Sequence, residues 1–130
     1  MSSHPAPYTA SSVSSPPGYS HAMLAGGLIF VAGQVAFDSD GSIVGVDDIG
    51  AQTRQAFRNL AAVLEAAGAT FADVAKLTYF VRDVEAVGVI RAVRDEFVDT
   101  ANPPASTLVE VSRLIAPELL IEIEAVAIAP

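Results

Sequence analysis

Two glutamates, Glu122 and Glu124, stand two residues apart in the apolar run Leu119–Ile128. Strand alternation puts Leu119, Ile121, Ile123 and Ala125 on one face and Glu122, Glu124 and Val126 on the other. With a rise of about 3.3 Å per residue, the two carboxylates lie roughly 7 Å apart. On a half-buried face, desolvation and mutual repulsion raise one pKa and poise that carboxyl for proton transfer. On an exposed edge strand the same pair is a solvated polar strip. The residues alone leave both readings open.

Other reactive side chains are few. Ser106 and Thr107 could supply a hydroxyl, but no base stands where a nucleophile would need one. His21 and the distant His4 are the only histidines, too few for a metal site, so none is expected. The absence of cysteine removes thiolate catalysis, disulfides and Cys-based zinc sites. Gly33 ends an apolar strand: its missing side chain either lets a ligand reach the backbone N–H or simply permits a bend. Arg91 and Arg94 sit on a helix, where a solvated face with Arg94 beside Asp95 is one reading.

The elements that must position these groups follow from pattern. Residues 20–25 and 28–35 read as strands joined by Gly26-Gly27, a two-residue hairpin signal. Asp38-Ser39-Asp40-Gly41 is a turn with a further hairpin signal, which leaves room for one more short strand before the first helix. That helix runs from about Asp48 to Ala67, with Ala56, Phe57, Leu60, Val63 and Leu64 at helical spacing, Asp48 at its start and Gly68 at its end. A strand over Val74–Val81 precedes a second helix capped by Asp83, with Val87, Ile90, Val93 and Phe97 on one face. Strands over Ser106–Val111 and Leu119–Ile128 close the chain. The order is β-β-(β)-α-β-α-β-β, an α+β arrangement of one sheet and one helix layer. Residues 1–18, rich in Ser, Pro and Ala, read as an extended or flexible arm, and residues 19–130 as one domain.

The chain has 130 residues, a net charge of −8, seven Lys and Arg, and 52% apolar residues. So few cations give no phosphate-binding patch and no polybasic membrane segment, so neither nucleic acid nor membrane is an expected partner. Mean hydropathy is +0.45, more apolar surface than a small monomer readily hides, so self-association is expected. No secretory leader and no 18-residue apolar span are visible in the sequence.

Several segments together resemble the RidA/YjgF (endoribonuclease L-PSP-like) family. They are Pro17-Gly18-Tyr19-Ser20-His21-Ala22, Phe30-Val31-Ala32-Gly33-Gln34, Gln52-Thr53-Arg54-Gln55, Leu64-Glu65-Ala66-Ala67-Gly68, Lys76 to Asp83, Pro104 to Val111, and Ile121-Glu122-Ile123-Glu124-Ala125. The resemblance implies a chorismate-mutase-like fold, a cytoplasmic homotrimer, and a small-molecule ligand in each inter-subunit cleft. It further implies cofactor-free hydrolysis of reactive enamines and imines to 2-keto acids and ammonia. By the same resemblance Glu122 positions the hydrolytic water, Tyr19 and Gly33 line the cleft, and the Leu108 backbone supplies a donor. Arg91 falls where relatives present a neutral polar residue to the cleft. Ser106 stands where the deaminating members carry an arginine that grips the substrate carboxylate, and it offers one neutral hydrogen bond in its place. A non-catalytic metabolite-binding trimer is therefore the competing expectation. A ribonuclease or translation inhibitor sits poorly with the charge of −8.

Overall fold

A computed structural model describes residues 5–130. Its strands are β1 (Ala6–Tyr8), β2 (Ala22–Ala25), β3 (Leu28–Gln34), β4 (Val74–Val81), β5 (Ala105–Glu110) and β6 (Ile121–Ile128), and its helices are α1 (Ile49–Ala66) and α2 (Val87–Arg94). They form one mixed sheet in the order β1-β2-β3-β6-β4-β5, with only β4 and β5 parallel. Both helices pack on one face, the chorismate-mutase-like α+β arrangement.

Local chemistry accounts for most boundaries. Gly26 and Gly27 both adopt positive φ, 58° and 77°, as a tight hairpin between β2 and β3 requires. Asp48 accepts a hydrogen bond from the Ala51 amide and caps α1, whose orphan first-turn donors need such a partner. Asp83 caps a short 3₁₀ turn, Val84–Ala86, which leads into α2. Beyond β3, the Asp38–Gly41 turn yields only an isolated bridge between Phe37 and Ile43, so the optional strand before α1 does not form. The extra strand lies instead at the start: Ala6–Tyr8, inside the segment read as an arm, pairs with Ala22–Leu24. Residues 1–4, the rest of that arm's start, lie outside the described residues.

The core sits between α1 and the sheet. Phe57 is fully buried and stacks on Phe97, with ring centroids 5.1 Å apart. Leu60 and Leu64 of α1 and Leu77, Ile121 and Ile123 of the sheet are likewise buried. Gln52, buried on α1, donates to the Gly45 and Glu118 carbonyls and accepts from the Leu120 amide. The last two hold the chain entering β6, and hence Glu122, against the helix layer.

The opposite face of the sheet has no helix. Cross-strand pairs Leu28–Ile128, Phe30–Val126 and Phe80–Glu122 lie on it. Phe30 is 46% exposed and Ile128 57% exposed. With Leu28 they form an apolar strip open to solvent.

Candidate functional site

Glu122 lies on that open face, between Phe80 of β4 and the irregular end of β3. Between Val31 and Gln34 the β3–β6 register shifts, so Ala32 and Gly33 form a bulge beside Glu122. The gap left by Gly33 is filled by the Glu122 side chain: a Cβ on residue 33 would overlap the carboxylate and stand 2.7 Å from Glu122 Cδ. The glycine thus makes room for the carboxylate itself. Half-burial raises the pKa of Glu122 above the ordinary 4.5, and the charge of Glu124 pushes it further the same way.

The carboxylate opens into a groove of about 860 Å³. Tyr19, 55% exposed, forms part of its wall, and Gly33 and Gln34 form another part. Among the residues lining the groove none is Lys or Arg. Two wall residues were not marked as site residues by the sequence. Asn59 donates to the Val35 and Phe37 carbonyls at 3.0 and 2.9 Å, fixing the chain just beyond β3. His21, buried, accepts from the Ala10 amide at Nδ1 (3.1 Å) and meets the Ser14 carbonyl at Nε2 (2.9 Å). The Ala10 amide can only donate, so Nε2 carries the ring proton and donates. This clamp presses Val13–Ser15 against the groove. Asn59 carried a usable signal, since it shares a face of α1 with Gln52, Ala56 and Val63, and a buried amide on an apolar helix face must have a structural or ligand partner.

Arg91, Ser106 and Leu108 are elsewhere. The parallel register sets Ser106 beside Leu77 and Leu108 beside Tyr79, so both face the helix layer rather than the Glu122 side. With Arg91 they line a second cavity of about 500 Å³ between α2 and β5. Within one chain the six predicted residues therefore divide into two half-sets, Tyr19, Gly33 and Glu122 in the groove and Arg91, Ser106 and Leu108 in the cavity. Arg94 bonds Asp95 through Nε and Nη2, at 2.9 and 2.8 Å, whereas Arg91 forms no ion pair among the described residues.

Among the described residues no cluster of three or more His, Asp or Glu is placed to hold a metal ion. No helix among the described residues is long and apolar enough to cross a membrane.

The sequence profile of the endoribonuclease L-PSP family matches residues 9–129. A RutC family protein of Synechocystis sp. is 37% identical over 113 residues, 86% of each chain. A 2-iminobutanoate/2-iminopropanoate deaminase of Salmonella typhimurium is 36% identical over 105 residues, 79% of this chain and 80% of that one. Among solved structures, a protein of the conserved Rid family, YyfA from Yersinia pestis, superposes with a TM-score of 0.91 at 31% identity, covering 96% of this chain and 99% of that one. The chain belongs to the RidA/YjgF family.

Proposed function

We propose that this member of the RidA/YjgF family is a cofactor-free hydrolase of small reactive imines, enamines or related C–N compounds, with Glu122 orienting the water. The observation that carries the reading is a half-buried carboxylate of raised pKa, housed in a gap that only glycine leaves open. The similarity to a protein named as an iminobutanoate and iminopropanoate deaminase supports it.

Hydrolysis of a C=N bond is redox-neutral and needs only water and proton transfer. Protonated Glu122 gives its proton to the imine nitrogen, or to the β-carbon of the enamine, and the carbon bonded to nitrogen becomes electrophilic. The resulting carboxylate then orients and deprotonates a water that adds to that carbon. The carbinolamine collapses, the C–N bond breaks with a proton returned to nitrogen, and a ketone and ammonia leave. A carboxyl whose pKa burial raises above the ordinary range serves both directions of transfer.

The cleft is completed, on this reading, by a neighbouring subunit. One chain's groove lacks a cation, its second half-set faces away, and its open sheet face is apolar. A cytoplasmic homotrimer, in which Arg91, Ser106 and Leu108 of one subunit face Glu122 of the next, satisfies all three. Sedimentation equilibrium at micromolar concentration is expected to give about three times 13.4 kDa, and a clean monomer would remove the shared cleft.

The hydrolase is tested with imines made in situ, from an amino acid by an amino-acid oxidase and from a primary amine by an amine oxidase. Product release faster than spontaneous hydrolysis for either supports it, and none for both removes it. Ser106 favours a second reading, a metabolite-binding trimer without turnover, because it lacks the bidentate grip of an arginine. Ser106→Arg is expected to raise kcat/KM for the amino-acid-derived imine by about tenfold or more, the worth of one charge-assisted hydrogen bond. An unchanged kcat/KM would show that position 106 does not meet the carboxylate.

A further inference from the structure

Tyr79 lies in the middle of β4. Its ring does pack against Phe57, with centroids 6.2 Å apart. Its hydroxyl is different. The residue is only 3% exposed, the oxygen has no hydrogen-bond partner among the described residues, and it borders the cavity between α2 and β5. A buried phenol without a partner carries a desolvation cost that a satisfied one does not, so a polar group left this way calls for an explanation.

The same cavity supplies one. Arg91, without an ion pair among the described residues, lines it together with Ser106, while Val87, Ile90 and Leu108 give it apolar walls. Arg94 lines it too, but Asp95 occupies two of its donors. Burial pushes the Tyr79 phenol up to about 12, with Arg94 pulling it down and Asp95 pushing it up, so it keeps its proton and is a donor at neutral pH. A donor at the floor, an exposed guanidinium at the rim and short apolar walls match one kind of ligand, a carboxylate on a short hydrocarbon chain.

We propose that Tyr79 is a specificity-determining residue, its hydroxyl and the Arg91 guanidinium together holding the carboxylate of a small ligand in the cavity between α2 and β5. The cavity's use by a substrate rests on the hydrolase reading, but its affinity for carboxylate does not. This anchor differs from an arginine at position 106 in depth and in chemistry, because it pairs one neutral buried donor with one exposed cation.

The test is an NMR titration of the intact protein with butanoate, butanamide and inorganic phosphate, repeated on Tyr79→Phe and Arg91→Gln, with imine turnover measured separately. Butanoate should bind with shifts at α2 and β5, and butanamide, of the same shape without charge, at least tenfold more weakly. Tyr79→Phe should weaken butanoate about tenfold, one hydrogen bond to a charged group, with no loss of thermal stability in the free protein. Arg91→Gln, a change on an exposed helix position, should weaken it at least as much. Equal binding of butanoate and butanamide, preference for phosphate, no butanoate binding, or unchanged affinity in Tyr79→Phe or Arg91→Gln would each overturn it. If turnover fails while these results hold, the hydrolase reading falls and the carboxylate site stands.

Discussion

Glu122→Gln is expected to lower kcat/KM by about 10²–10⁴-fold, the usual worth of a positioned acid–base group, while making the protein more stable at neutral pH. The two effects have one cause. Burial and the neighbouring Glu124 charge both disfavour the Glu122 anion in the folded state and raise its pKa above 4.5. Between the unfolded and folded pKa values the native state therefore binds the extra proton, and stability falls as pH rises through that window. Above the window the folded protein carries the whole cost of the buried charge. Below the unfolded pKa both states are protonated and the cost vanishes. Glutamine keeps the shape and the hydrogen-bonding atoms without the charge, so its melting temperature should exceed the wild type's at pH 7.5 and match it near pH 4. Thermal melts at the two pH values, alongside initial rates, measure both halves. A variant that loses rate and is destabilised equally at both values would show a structural carboxylate instead. Glu124→Gln removes only the neighbouring repulsion: turnover should persist, with the pH dependence that Glu122 governs moved to lower pH.

What the sequence carried, and what it did not, follows from the range of the interactions involved. Alternation along Leu119–Ile128 placed Glu122 and Glu124 on one face because a strand's period is a local property, and β6 shows that alternation of burial. Gly26-Gly27, Asp48 and Gly68 marked their turn and helix ends for the same reason, since each satisfies a dihedral or a donor within a few residues. β1 was not legible as a strand. Ala6-Pro7-Tyr8 has no strand pattern of its own and is extended because β2 offers it an edge, where a proline's missing N–H does little harm. The division of the six site residues into two half-sets was equally hidden. It depends on the parallel register of β5 on β4, which places Ser106 and Leu108 toward α2, and a one-residue slip would turn both the other way. Tyr79 shows the limit most clearly. Thr78, Tyr79 and Phe80 are all plausible strand residues, and only the packing of α2 decides which of them has a hydroxyl at the floor of a cavity.

Gly33→Ala should reproduce most of the functional loss of Glu122→Gln without touching the carboxylate's chemistry. The backbone at residue 33 is not among the positive-φ glycines, so alanine fits the main chain and any effect comes from its methyl group. That methyl group would meet Glu122 Cδ at 2.7 Å and Cγ at 2.9 Å, closer than two carbons can approach. Glu122 is a flexible side chain on an open face, so it yields by turning aside, and a side chain left about 30° off a rotamer costs about 0.5–1.5 kcal/mol. The fold should survive with a melting temperature only a few degrees lower. The displaced carboxylate leaves its half-buried seat, regains water, and its pKa falls back toward the ordinary range. Two measurements isolate this from general damage. The pH dependence of the remaining activity should move down, as desolvation no longer holds the proton on Glu122. In addition, the double variant Gly33→Ala/Glu122→Gln should be no slower than Glu122→Gln alone, because both changes remove the same positioned group and such losses do not add. Additive losses would mean that the methyl group obstructs the ligand or the β3 bulge directly, and that the glycine serves something other than the seat of Glu122.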